Sequence, residues 1–176
     1  NLQRENSERI GLRQDGRDIH ATRAGLEAAY GDTHDRLVVF LHGLVETEHA
    51  WRFRSRQRWG EAGTSYASRL REETDWMPLL VRYNTGLPIE DNAAALGELL
   101  TQVMRSWPRP PRELVLVGHS MGGLVALWAI AQGDPDWTGT VRAVVTVGSP
   151  REGAPLERFA VVAEELAESS GAGRWL

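Results

Sequence analysis

The stretch "LVLVGHSMGGLVAL", residues 114–127, decides how the chain is read. Four β-favouring apolar residues run into Gly118-His119-Ser120-Met121-Gly122, and a second apolar run follows at once. A continuous apolar run of strand length that ends at glycine reads as a strand buried on both faces. The apolar residues from Met121 to about Gln132, with Gly133 to close them, read as a buried helix. Ser120 therefore stands on a strand-to-helix turn, and that context suits a G-x-S-x-G nucleophile elbow. The turn requires its glycines, because a side chain at Gly118 or Gly122 would meet neighbouring backbone. At the helix N-terminus, free N–H groups and the positive dipole end face any negative charge formed beside Ser120. The bland alternative is a tight turn whose serine caps the helix.

Working outward, three more segments resemble the first strand. "LVVFLHG" at 37–43, "LLVRYNTG" at 79–86 and "AVVTVGSP" at 143–150 are apolar and end in small or polar clusters. Between the second and third strands, "EDNAAALGELLTQVMRSW" keeps Ala93, Leu96, Leu100, Val103, Met104 and Trp107 on one helical face. Pro108, Pro110 and Pro111 end it. This alternation predicts an α/β fold, a mainly parallel sheet with helices on both faces. The spatial order expected for its strands is 79–83, 37–41, 113–118, 143–148. Functional sites in such sheets lie at the carboxyl ends of the strands. The clusters His42-Gly43, Asn84-Thr85-Gly86, Gly118-His119-Ser120 and Gly148-Ser149-Pro150 are thus expected to converge.

Upstream, Asp15-Gly16 marks a hairpin within residues 10–20, and Thr22 and Gly31 bracket a short helix. Residues 65–73 read as helical. Arginines at 52, 54, 56 and 58 read as a solvated flank, with an anion-attracting rim as the minor alternative. "PLERFAVVAEELAES" reads as an amphipathic helix with Leu156, Phe159, Val162, Ala163 and Leu166 on one side.

Composition narrows the function. The 176 residues suffice for one domain, and 41% hydrophobic and 25% charged content are those of an ordinary globular protein. A net charge of −4 argues against a nucleic-acid partner. There is no cysteine, which removes disulfides, thiolate metal sites and cysteine nucleophiles. No apolar run is long enough for a transmembrane helix. The missing cysteines fit a cytoplasmic location, while a chain that opens on Asn1 leaves a trimmed leader and secretion open. Oligomeric state is not legible.

"FLHGL", "GHSMGG" and "VGSPREGAPLE" together resemble the α/β-hydrolase superfamily, in particular bacterial lipase- and esterase-like serine hydrolases. The resemblance spans about residues 37–160, with the motifs in the family's order. It implies Ser120 as nucleophile and an oxyanion hole formed by the N–H groups of Leu44 and Met121. His42, Gly43, Gly118, His119 and Gly122 support the motifs. The His42 ring itself is expected to be structural, bonded to loop backbone. Arg151 stands where lipases often place a histidine, a departure that concerns lipase against short-chain esterase. The implied substrate is a small-molecule ester or lipid, and no cofactor or metal is expected. Amide, thioester or acyl-transfer chemistry would use the same residues, and a non-catalytic binding or scaffold protein could keep the elbow. The helix after Pro155 would begin a cap or lid, with an ordinary core-facing helix as the equal alternative.

The general base is the missing part. The histidines are His20, His34, His42, His49 and His119, and none follows Ser120, where the family order places the triad histidine. His119 is expected to point away from the serine, as neighbours on a strand do. His49 is the remaining upstream candidate. Glu157, Glu164, Glu165 and Glu168 read as a helix's solvated face. The expectation is an α/β-hydrolase domain over 1–176 that is incomplete at its C-terminus, with the acid and histidine supplied from beyond Leu176.

Overall fold

The computed structural model describes residues 10–31 and 34–150. The proposed lid helix, Arg151 and the four glutamates after it lie outside the described residues. A six-stranded sheet runs in the order β2-β1-β4-β3-β5-β6. Its strands are β1 (Gly11–Gln14), β2 (Arg17–Ile19), β3 (Arg36–Leu41), β4 (Met77–Arg82), β5 (Glu113–His119) and β6 (Val141–Val147). Pairs β3–β4, β3–β5 and β5–β6 are parallel, and the expected order of the four apolar strands is observed. The hairpin adds a feature that local patterning did not reveal. β1 pairs antiparallel with β4, Leu12 opposite Val81, so the sheet is mixed. Asp15 (φ 48°) and Gly16 (φ 77°) form its two-residue turn, whose two positive φ angles match the twist of the flanking strands.

β4 starts two residues before the expected strand. Pro78 lies opposite Val38 at its second position, near a strand start, where a missing N–H is tolerated. β6 also starts and stops earlier than expected, ending at Val147 just before Gly148 (φ 63°).

Strand alternation sorts the core into two layers. Leu37, Val39 and Leu41 of β3, Met77, Leu79 and Val81 of β4, and Leu114 and Leu116 of β5 face α1 (Arg23–Tyr30), α4 (Ile89–Ser106) and α5 (Met121–Gln132). Each fully buried aliphatic side chain contributes about 2 kcal/mol. On the opposite face Val38 and Phe40 pack with Trp51 of a 3₁₀ turn (Glu48–Arg52) and Ala67 of α3 (Tyr66–Glu73). β3 is buried on both faces, as its apolar run requires.

Two further elements are found among the described residues. α2 (Ser55–Trp59) carries Arg56 and Arg58 exposed to solvent, as does Arg54 before it, while Arg52 pairs with Asp15. Exposure at Arg54, Arg56 and Arg58 is common to the solvated-flank and anion-rim readings. α6 (Pro135–Thr138) has no apolar periodicity, yet it buries Trp137 against Gly133, where a Cβ would overlap the indole. Gly133 thus closes α5 by its size rather than by a left-handed backbone (φ −74°).

Candidate active site at the strand ends

Ser120 stands between β5 and α5 with φ 49° and ψ −118°. Positive φ is uncommon for a residue with a Cβ and costs about 1–3 kcal/mol where tertiary structure enforces it. Its N–H donates to Val147 O at 2.8 Å, which ties the turn to the end of β6. The flanking glycines are required by close approach. A Cβ on Gly118 would overlap Gly122 and Gly123 backbone, and one on Gly122 would stand 2.5 Å from Leu41 O and 2.6 Å from His42 O. The start of α5 therefore lies directly on the end of β3, which brings the Met121 N–H and the turn after Gly43 together. Neither Leu44 N–H nor Met121 N–H donates to an acceptor among the described residues.

The turn after β3 is closed by its own side chains. Glu46 Oε2 accepts the Gly43 N–H at 2.6 Å and lies 2.9 Å from His119 Nδ1. Val45, a β-branched residue, is held at φ 59°, and its N–H donates to Thr85 Oγ1 at 3.2 Å. The Thr85 loop is in turn fixed by Asn92, whose Nδ2 donates to Asn84 O at 2.9 Å and Leu87 O at 3.2 Å. All four strand-end clusters meet here, the last through Ser149, whose side chain fills the space beside Gly123.

His42 is fully buried and stacks on Tyr83 with ring centroids 4.4 Å apart. Its Nδ1 lies 2.9 Å from Gly43 O, and its Nε2 accepts the Tyr83 N–H at 3.4 Å. These partners assign the proton to Nδ1. Burial lowers its pKa, against the opposing pull of the Gly43 carbonyl and the Glu46 and Glu48 charges. Tyr83 Oη donates to His42 O, and burial first, then the Glu46 charge, raise its pKa. His42 is thus a neutral brace for the turn.

His119 has a partner that sequence reasoning missed. Alternation along β5 turns its ring to the face of Val115 and Val117, and the chain after β3, which carries Glu46, reaches that face. A Cβ on Gly43 would stand 3.0 Å from His119 Nδ1 and 3.2 Å from Ser120 Cβ, so both residues border one glycine. His49 lies in the 3₁₀ turn with Nε2 3.7 Å from Glu48 Oε1. Sequence reasoning missed Glu48 as well. It is 3% exposed, and Arg82 Nε and Nη2 donate to it at 2.6 and 2.7 Å, with Arg13 Nε at 3.4 Å. Burial opposes its ionisation, but Arg82 hydrogen bonds and charge and its own N–H outweigh this, and its pKa is lowered. The repeated acid in "VETEH" was the available signal. Among the described residues no cluster of three or more His, Asp or Glu could hold a metal ion.

A family model described as "PGAP1-like alpha/beta domain" matches residues 82–167, which include the elbow. Over those residues the chain is similar to that α/β domain. No curated protein matches its sequence. Among solved structures, a lipase-esterase related protein from Clostridium acetobutylicum is 18% identical, with TM-score 0.42, over 65% of this chain and 42% of that one. Trichoderma reesei cutinase is 22% identical, with TM-score 0.42, over 76% and 64%. A laboratory-evolved potato epoxide hydrolase is 15% identical, with TM-score 0.46, over 89% and 47%. The chain thus spans 42% to 64% of the length of those three proteins. No helix among the described residues is long and apolar enough to cross a membrane.

Proposed function

We propose that the chain is the nucleophile-bearing part of a serine hydrolase that cleaves carboxylic esters through an acyl-enzyme on Ser120. The backbone of Ser120 carries the reading. A serine that only caps a helix takes extended backbone and accepts an N–H two or three residues on. Thr22 (φ −101°, ψ 156°) and Ser65 (φ −128°, ψ 166°) do so here. Ser120 has positive φ and no such bond. Its strain has no capping role, whereas a presented nucleophile accounts for it.

In this reaction Ser120 Oγ attacks the acyl carbon, and the carbonyl oxygen takes up the displaced electron pair. The Leu44 and Met121 N–H groups donate to that oxyanion, each worth about 3 kcal/mol in the transition state. The serine proton passes to a base and then to the leaving alkoxide, and water later releases the acid. In the hydrolase order the triad histidine follows the serine, and His20, His34, His42, His49 and His119 all precede Ser120. The proposed base is therefore a histidine outside residues 1–176, oriented by an Asp or Glu. Val45 on the oxyanion turn and Leu87 on the Thr85 loop, 49% and 42% exposed, offer apolar surface to the acyl or alkyl part.

The test uses Ser120→Ala in the full natural protein, with p-nitrophenyl esters as substrates and a fluorophosphonate as label. Loss of turnover and labelling with unchanged circular dichroism is expected. Wild-type turnover in that variant excludes Ser120 as nucleophile. A wild-type protein that neither turns over nor labels favours the binding or scaffold reading.

A further inference from the structure

We propose that Glu46 is a positioning residue that locks the oxyanion turn to the nucleophile elbow, a role that rests on the Ser120 reading above. One carboxylate oxygen, Oε2, takes both the Gly43 N–H at 2.6 Å and His119 Nδ1 at 2.9 Å. Gly43 opens the turn that presents Leu44 N–H, and His119 immediately precedes Ser120. Gly43 and His119 are thus bridged through one atom. The turn needs such a clamp. Val45 is β-branched with φ 59°, a conformation that costs about 1–3 kcal/mol unless its surroundings enforce it. The Glu46 N–H to Gly43 O bond that would close the turn by itself is long, at 3.3 Å. Thr85 Oγ1 holds the Val45 N–H from one side, and Glu46 holds Gly43 from the other.

The clamp also fits the electrostatics of acyl transfer. A free carboxylate beside the hole would oppose the oxyanion. Here Oε2 is already engaged by two donors, one of them backbone, and charge-assisted bonds of this kind are the stronger ones. Gly43 is hemmed in by the same three groups. A Cβ there would stand 2.8 Å from Glu46 Oε2, 3.0 Å from His119 Nδ1 and 3.2 Å from Ser120 Cβ. The missing side chain at Gly43 leaves the room the clamp occupies.

The test compares Glu46→Ala, Glu46→Gln and Ser120→Ala in the full natural protein, by kcat, KM and amide hydrogen exchange at Gly43. Glu46→Ala should lower kcat about 100-fold, the scale set by about 1 Å of misplacement. KM should stay within about threefold, because the clamp aims a transition-state donor. Glu46→Gln keeps a carbonyl acceptor for both donors and should restore most of kcat. Exchange at Gly43 should accelerate in Glu46→Ala and return towards wild type in Glu46→Gln. Wild-type kcat in Glu46→Ala overturns the proposal. So does a Glu46→Gln variant as inactive as Glu46→Ala, because the charge and not the acceptor would then be needed. If Ser120→Ala retains turnover, it is the serine reading that fails. Exchange at Gly43 then decides the clamp alone, and an unchanged rate in Glu46→Ala overturns it.

Discussion

Replacing Gly122 with alanine adds one methyl group where α5 crosses the end of β3. The new Cβ would stand 2.5 Å from Leu41 O and 2.6 Å from His42 O, against an ordinary C···O contact of about 3.4 Å. Neither oxygen belongs to a flexible side chain. Both are backbone carbonyls, and Leu41 is paired to Val81 and Gly118 in the sheet. A displacement of about 0.9 Å must fall on the start of α5, which carries Met121 N–H, or on the turn that carries Leu44 N–H. Two stability terms oppose each other. Alanine gains about 1 kcal/mol over glycine in a helix, and overpacking costs about 1–3 kcal/mol. The net loss is about 0–2 kcal/mol, a fall in Tm of no more than about 8 °C for a domain of this size. Activity has no compensating term, since about 1 Å of misplacement costs on the order of 100-fold. Gly122→Ala should therefore melt close to wild type while kcat for a p-nitrophenyl ester falls about 100-fold. Thermal circular dichroism and steady-state kinetics measure the two. Full activity at unchanged Tm would refute the claim that contact between α5 and β3 sets the donor geometry.

Further outcomes follow from the same geometry. Ser120→Gly should be more stable than Ser120→Ala by about 1 kcal/mol in urea unfolding, because only glycine relaxes at positive φ; equal stabilities would remove the strain. Glu48→Gln should cost about 3 kcal/mol, the low end for breaking a buried pair, because Arg82 is 36% exposed. The Glu48 carboxyl is depressed in the folded state. Its contribution is complete above the ordinary value of 4.5 and is lost as pH falls through the lowered one. Acid unfolding of wild type should be steeper below about pH 4.5 than that of Glu48→Gln, and parallel curves would count against the pair. Gly133→Ala, which would drive a Cβ into Trp137 and to 2.7 Å from Ala129 O, should destabilise by about 1–3 kcal/mol. Its kcat should be unchanged, because α5 separates it from Ser120; a matching loss of kcat would show that the helix transmits the shift.

The amino-acid sequence alone determined four apolar strands and the glycine-flanked turn at Ser120. Each rests on short-range physics. Apolar runs such as "LVVFL" must be covered on both faces, and Gly118 and Gly122 lie within two residues of the serine they expose. The Thr22 cap and the Asp15-Gly16 turn were legible for the same reason. Tertiary structure alone decided the rest. β1 joins β4 antiparallel across about 70 residues, and nothing in a four-residue strand states its partner. Trp137 is fully buried by a helix too short to show a period. Strand alternation was sufficient to give the His119 ring a face, but the carboxylate it meets there comes from 73 residues upstream. Glu46 and Glu48 look alike in "VETEH", yet one holds the turn beside Ser120 and the other is buried on Arg82. Local patterns record which residues leave water. Partners for polar groups are assigned only when distant segments are brought together, because a buried charge is stable where its counter-charge and hydrogen bonds arrive from elsewhere in the chain.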